Sequence, residues 1–165
     1  MQPNMEKFHL EQAEIEAILD KCKEGVLCTI GTDGYPYGTP VNYVRNGDRI
    51  LFHGRKMGEK VDNIKACNKV CLTVMITHGF EHCGPDGCNT TTNYESVIVR
   101  GTVSEVTDET EKIKMLKDTI AKLVPERIPD AMNEKMAAAA AIYAIKIESA
   151  TGKYHRPMAG HKIMY

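Results

Sequence analysis

Residues 26–54 read VLCTIGTDGYPYGTPVNYVRNGDRILFHG. Three runs in this stretch, Val26–Ile30, Tyr37–Arg45 and Arg49–His53, are separated by Asp33-Gly34 and Asn46-Gly47. Asp-Gly and Asn-Gly between apolar runs are strong hairpin signals, because glycine takes the positive φ that such turns demand. The stretch therefore predicts an antiparallel meander of three strands.

Upstream of the meander, Glu11–Lys23 carries Ile15, Ile18, Leu19 and Cys22 on one helical stripe, and Gly25 ends it. Downstream, Gly58–Cys67 predicts a short helix with Val61, Ile64 and Lys65 on one face. Val70–Thr77 and Tyr94–Val106 predict two more strands, joined by a long loop rich in Gly, Asn and Thr. In the second of them Val97, Val99, Gly101 and Val103 share a face, and Gly101 predicts a bend or bulge of the kind a barrel needs to turn a corner. Asp108 is placed to cap a helix reaching about Leu123, with Glu111 at the capping-box position. Pro125 and Pro129 interrupt the chain, and Ala137–Ser149 closes with a last strand, AIYAIKIES.

Hairpins dominate this order, so the expected fold is mainly β (α+β): a small antiparallel barrel with helices outside it. A doubly wound parallel sheet fits less well, since no strand–helix–strand pattern spans the chain. The 165 residues carry no internal repeat and no Pro- or Ser-rich linker, which predicts a single domain. At this length burial of roughly 70% of the unfolded surface is feasible.

Lys plus Arg number 21 and Asp plus Glu 22, for a formal charge of −1. That balance argues against nucleic acid or an anionic membrane as partner. The first residues, MQPNMEKFHLEQ, lack the apolar segment of a signal peptide, and Ala137–Ile147 is too short to cross a membrane. The expectation is a soluble, cytoplasmic protein whose six cysteines, at 22, 28, 67, 71, 83 and 88, stay reduced. Most of these lie in apolar runs such as VLCTI and KVCLTV, where the expected role is that of a small buried hydrophobe.

Against so neutral a background, FHGRKMGEK at 52–60 is conspicuous for Arg55, Lys56 and Lys60 directly after an apolar strand. Gly54 lets backbone come close to a ligand, and Gly58 opens the next helix with its free N–H groups turned toward the cations. A helix N-terminus with Arg55 at its mouth and Lys60 in its first turn suits a phosphate dianion; a solvated turn is the other reading.

Taken together, GYPYGTPVNYVRNGDRILFHGRKMGEKVDNI, NKVCLTV and YESVIVRGTV resemble the pyridoxamine 5′-phosphate oxidase-like split barrels. Within these the chain looks closest to flavin-nucleotide-binding proteins related to nitroimidazole-resistance reductases. The likeness runs in order over about residues 8–120 and extends weakly to ATGKYHRP at 150–157. It implies a six-stranded antiparallel split β-barrel with flanking helices, its core at about 8–150 and a tail at 151–165. It also implies FMN bound at the interface of a homodimer, and reduction of a small molecule such as a nitroaromatic. On this resemblance Lys60 holds the phosphate with Arg55 and Gly58 beside it, and the backbone of Thr39, Pro40, Val41 and Asn42 runs along the flavin. His53 and Gly54 face the cofactor, His53 being the catalytic candidate as a group that titrates near neutrality. Ser96 falls near the pyrimidine edge, and His155 and Arg156 correspond to residues that reach the site from the partner subunit. Two departures stand out: Glu59 occupies the place before Lys60 where relatives often carry a cation, and Tyr43-Val44 stand where vitamin B6 oxidases hold substrate. The latter argues against B6 oxidation.

A competing cluster lies in THGFEHCGPDGCNTTT, with His78, His82, Cys83 and Cys88. Sulfur and imidazole suit zinc, but there is no Cys-x2-Cys knuckle and adjacent His82-Cys83 fits a tetrahedron poorly, so a substrate-lining loop or plain surface outweighs a metal site. Haem on His78, His82 or His155, or flavin storage without turnover, are the alternatives to a reductase.

Overall fold

The computed structural model describes residues 7–127, 134–157 and 162–164. Its elements are α1 (Gln12–Lys21), β1 (Glu24–Ile30), β2 (Pro36–Asn46), β3 (Arg49–Gly54), α2 (Glu59–Ala66), β4 (Lys69–His82), β5 (Thr90–Glu105), α3 (Glu109–Leu123), α4 (Glu134–Ala139), β6 (Ala141–His155) and β7 (Lys162–Met164). The sheet order is β1-β2-β3-β6-β5-β4-β7, and β1 also pairs with β4, closing six strands into a barrel. The fold is the expected mainly β barrel with helices outside, plus a short seventh strand beside β4.

Contacts divide the chain into two compact units: Lys23–Thr73 with Val99–Ser149, and Met1–Cys22 with Val74–Ile98 and Ala150–Tyr165. In the first, the meander forms where the turn residues require it. Ile30 pairs with Pro36 across a loop holding Gly34 at φ 86. The second hairpin pairs Asn46 with Arg49, so its two loop residues are Gly47, at φ 61, and Asp48. Barrel closure comes from Val26–Thr73, Leu27–Leu72 and Cys28–Cys71.

Strand β3 is buried on both faces at Ile50, Leu51 and Phe52, and so is β6 from Ala141 to Ile145. The reason is a second layer: Val44, Leu51, Ile142 and Ala144 pack against Met115 and Leu116 of α3 and Ala137 of α4. Phe52 and Tyr143, paired across β3 and β6, stack at 5.4 Å between centroids. Each such buried side chain contributes about 1.5–3 kcal/mol relative to exposure. Helix α3 starts as its cap predicts, the Asp108 carboxylate accepting from Glu111 N at 2.7 Å.

Several expectations need correction. The last strand starts at Ala141, where AIYAIKIES begins, but it is preceded by a helix, α4, that was not expected. Lys65 points to solvent, and the buried face of α2 is Val61, Asn63 and Ile64. At Gly101, where a bend or bulge was expected, the close neighbours also require glycine: a Cβ would run into the Lys146 carbonyl oxygen and lie 2.9 Å from Ile145 Cγ2.

In the second unit, β4 runs on to His82 and β5 begins at Thr90, so most of the expected long loop is strand. The connection is seven residues, held by Cys83 N donating to Asn89 O at 2.6 Å. β7 pairs with Phe80–His82. Strand β6 continues to His155, so the stretch read as a tail begins as strand. Its Gly152 packs closely on Leu10 and Ile15 of the N-terminal segment.

Candidate functional site

Along β3 the side chains alternate, and His53 follows Leu51 onto the outer face, where it is exposed. Gly54 has no side chain to fill the strand end, and Lys60 of α2 occupies that place. Its Nζ lies 3.2 Å from where a Gly54 Cβ would be and 5.4 Å from the centroid of the Phe52 ring. Burial lowers the Lys60 pKa. His53 is also lowered, first by the desolvation its crowded flank imposes and second by the Lys60 charge. The atoms around these two groups disfavour their positive charge, and an anion beside them would reverse both effects.

The turn into α2 depends on Gly58, whose φ of 120° side-chain-bearing residues rarely adopt. Gly58 O accepts from Val61 N at 2.8 Å and Asp62 N at 3.1 Å, so the intrahelical bonds begin there. The N–H groups of Glu59 and Lys60 precede them, at the positive end of the helix dipole. Arg55, Lys56 and Glu59 are all exposed at this turn.

Thr39–Asn42 lie on β2, paired with Glu24–Leu27 of β1. Val41 points into the core, whereas Pro40 and Asn42 are exposed. Asn42 Nδ2 donates to Lys23 O at 3.3 Å. One step beyond the Tyr43–Phe52 pair come Asn42 on β2 and His53 on β3, so the β2 segment and the strand end share one end of the ladder. Asn63, which sequence reasoning missed, is 1% exposed; its Nδ2 donates to Thr29 Oγ1 at 3.2 Å, and Thr29 Oγ1 donates to Tyr37 O at 3.4 Å. This relay ties α2, and with it Lys60, to β1 and β2. The available signal was an amide between Val61 and Ile64 on an apolar face.

The remaining expected residues belong to the other unit. Ser96 lines a cavity of about 100 Å³ with Ile98, Thr151, Gly152 and Lys153. His155 Nδ1 and Asn93 Oδ1 are 3.1 Å apart, with buried Glu81 Oε2 at 4.0 Å from the same nitrogen. Arg156 donates to Glu14 at 2.7 Å and to Glu95 at 3.1 Å, and Glu95 also bonds His78 at 3.1 Å. Burial alone would raise the Glu95 pKa, but the hydrogen bonds from His78 and Arg156 leave it lowered. Hydrogen bonding to Arg156 likewise lowers Glu14. Cys83 and Cys88 are exposed free thiols. Among the described residues, no three of His, Cys, Asp or Glu are grouped to hold a metal ion.

Comparison with known proteins identifies the family. Residues 11–154 match the family model described as pyridoxamine 5′-phosphate oxidase. The chain belongs to that family, whose members share the split barrel seen here. A candidate 5-nitroimidazole antibiotic resistance protein from Bacteroides thetaiotaomicron is similar at 20% identity and TM-score 0.77, over 88% of this chain and 85% of its own. The flavocytochrome Anf3 from Azotobacter vinelandii matches at 27% identity and TM-score 0.77, over 89% and 68%. An FAD and heme binding protein from Mycobacterium smegmatis matches at 18% and TM-score 0.79, over 89% and 72%. No curated protein sequence matches the chain. Among the described residues no helix is long and apolar enough to cross a membrane.

Proposed function

We propose that this chain binds FMN and uses it to reduce a small molecule, nitroaromatic compounds among them. The observation that carries the reading is the Lys60 ammonium, half-buried over Gly54 beside His53 at the mouth of α2. A phosphate monoester there would meet Lys60, the Glu59 and Lys60 N–H groups, and Arg55 from solvent. The glycine at 54 fits that role, since any side chain would crowd the ammonium. The backbone of Thr39–Asn42 is the surface on which the flat ring would lie, with His53 at its edge. FMN, when bound, supplies the redox chemistry; the protein supplies the slot, the countercharge and the exclusion of water. His53, whose proton is held weakly without an anion and more firmly beside a phosphate, is able to bond substrate or exchange a proton with it.

The exposed flank of Pro40, Asn42 and His53 covers a ligand from one side only, which supports a homodimer whose second copy closes the slot. Ser96, His155 and Arg156 are proposed as further contacts, reaching flavin from the second copy or its own. The names of the similar structures, one an FAD and heme binding protein and one a flavocytochrome, support a flavin; both names also carry haem, which is the second reading. A cytoplasmic location agrees with the sequence but is proposed on that ground alone.

The test is a visible spectrum of the purified protein, followed by titration of FMN and FAD into wild type and Lys60→Ala. Loss of a charged hydrogen bond of about 1.5–3 kcal/mol should weaken FMN roughly 10- to 150-fold. Absence of flavin uptake, or equal affinity in the variant, would overturn the assignment; a Soret band would point to haem instead.

A further inference from the structure

Cys28 and Cys71 face each other as the last of the three pairs joining β1 to β4. Their neighbours Leu27, Thr29, Val70 and Leu72 are buried, so alternation turns both sulfurs to the opposite face, where both residues are half-buried. Directly opposed residues in an antiparallel ladder have Cα atoms about 4.5 or 5.5 Å apart, according to the pair type. Both spacings fall within the roughly 4.4–6.8 Å between Cα atoms that a disulfide spans, so a small approach of the Cβ atoms, from about 4.5–5.5 Å to about 3.5–4.5 Å, lets the two sulfurs join. Neither thiol is the fully buried hydrophobe expected from VLCTI and KVCLTV.

The surroundings give the pair access. On the other flank of β1, Cys28 lies opposite Gly38. A Cβ at Gly38 would stand 3.9 Å from Cys28 Sγ; its absence leaves that side of the sulfur open. Both cysteines line an open cleft of about 350 Å³ together with Lys69, Arg100 and Glu148. Two cations against one carboxylate favour an anionic visitor.

We propose that Cys28 and Cys71 form a reversible dithiol–disulfide pair that exchanges with small anionic disulfides entering this cleft. Burial, and next the Cys71 sulfur, raise the Cys28 pKa; the exchange is written with Cys71 entering first and Cys28 resolving, and the balance is the same in the other order. The Cys71 thiolate attacks one sulfur of the disulfide RSSR, forming a mixed disulfide and releasing one thiolate RS−, which takes a proton. Cys28 then loses its proton and attacks the Cys71 sulfur, expelling the second RS−. The balance is two protein thiols and one RSSR giving one protein disulfide and two RSH. The small disulfide is the oxidant, and an excess of thiol reverses the exchange. This device needs no cofactor and stands apart from the flavin reading.

The experiment treats the full chain with oxidised glutathione, blocks remaining thiols, and maps linked peptides by mass spectrometry. Expected are an intramolecular Cys28–Cys71 link that dithiothreitol removes, and a trapped glutathione on Cys71 in Cys28→Ser. Scaled to reaction with a free small thiol, neutral hydroxyethyl disulfide should react several-fold more slowly than oxidised glutathione at low salt, and Arg100→Gln should narrow that difference. The proposal is overturned if Cys28 and Cys71 both remain free in wild type, each keep a separate glutathione, or link only between molecules. Equal rates for the anionic and neutral disulfides would overturn the anion-selective cleft.

Discussion

Replacing Gly101 by alanine should be among the most damaging small changes in the barrel. The added carbon would overlap the Lys146 carbonyl oxygen and lie 2.9 Å from Ile145 Cγ2 and 3.0 Å from Lys146 C. Two of these three atoms are backbone of a neighbouring strand, so no rotamer change relieves the clash. Strand β5 must move away from β6, in a segment where Val99 and Val103 are buried on the Gly101 face. Overpacking of this kind costs about 1–3 kcal/mol, and one weakened ladder bond adds about 1 kcal/mol. Against this, alanine narrows the unfolded ensemble by about 0.4–1 kcal/mol. The net expectation is a loss of about 1–3.5 kcal/mol, or roughly 2–14 °C in Tm for a chain of this size. Gly87→Ala is the matched control, since a Cβ there meets nothing within 4 Å; it should be neutral or slightly stabilising. Urea unfolding of both variants against wild type measures the difference. A Gly101→Ala protein within about 0.5 kcal/mol of wild type would refute the close-approach argument, because ordinary surface changes fall in that range.

The other expectations concern the site. His53 should titrate, by proton NMR, below the ordinary histidine value of about 6.5. Because its folded pKa is depressed, the unfolded chain binds more protons below that value, so this group removes stability as pH falls from about 6.5 through the folded pKa and then levels off. In Lys60→Met the midpoint should rise yet stay below the ordinary value, since desolvation is the larger cause; a wild-type midpoint at 6.5 or above would sink the argument. Asn63→Ala, which breaks the relay from α2 to Thr29, should cost about 1–3 kcal/mol in urea unfolding and weaken flavin uptake through Lys60. Unchanged stability would mean the relay does not anchor α2.

The barrel was legible because its meander announces itself: Asp33-Gly34 and Asn46-Gly47 fix two turns, and the apolar runs between them fix three strands. Asp108 gave the start of α3 for the same local reason. What misled were residues whose placement depends on distant partners. The Gly- and Thr-rich stretch around 78–93 has loop composition, yet most of it pairs as strand, where Thr is at home on a half-buried surface. Lys65 fits the spacing of the apolar face of α2, but Asn63 takes the buried position because Thr29 is there to accept its hydrogen bond. The cysteines were read by the hydrophobicity of their neighbours, which alternation along a strand turns to the opposite face.

The cationic turn has its own physical logic. Lys60 sits where burial disfavours its charge, and burial first, then that same Lys60 charge, depresses His53. Left to itself, such an arrangement subtracts from stability, since the unfolded chain solvates both groups freely. An anion at the mouth of α2 changes the sign: it favours both charged forms and faces the first N–H groups of the helix. Glu59 works in the opposite direction as a like charge to the ligand, but it is exposed and therefore screened, whereas Lys60 is half-buried and is not. On the proposed reading the balance favours the anion, and the stability given up in its absence is recovered when it binds.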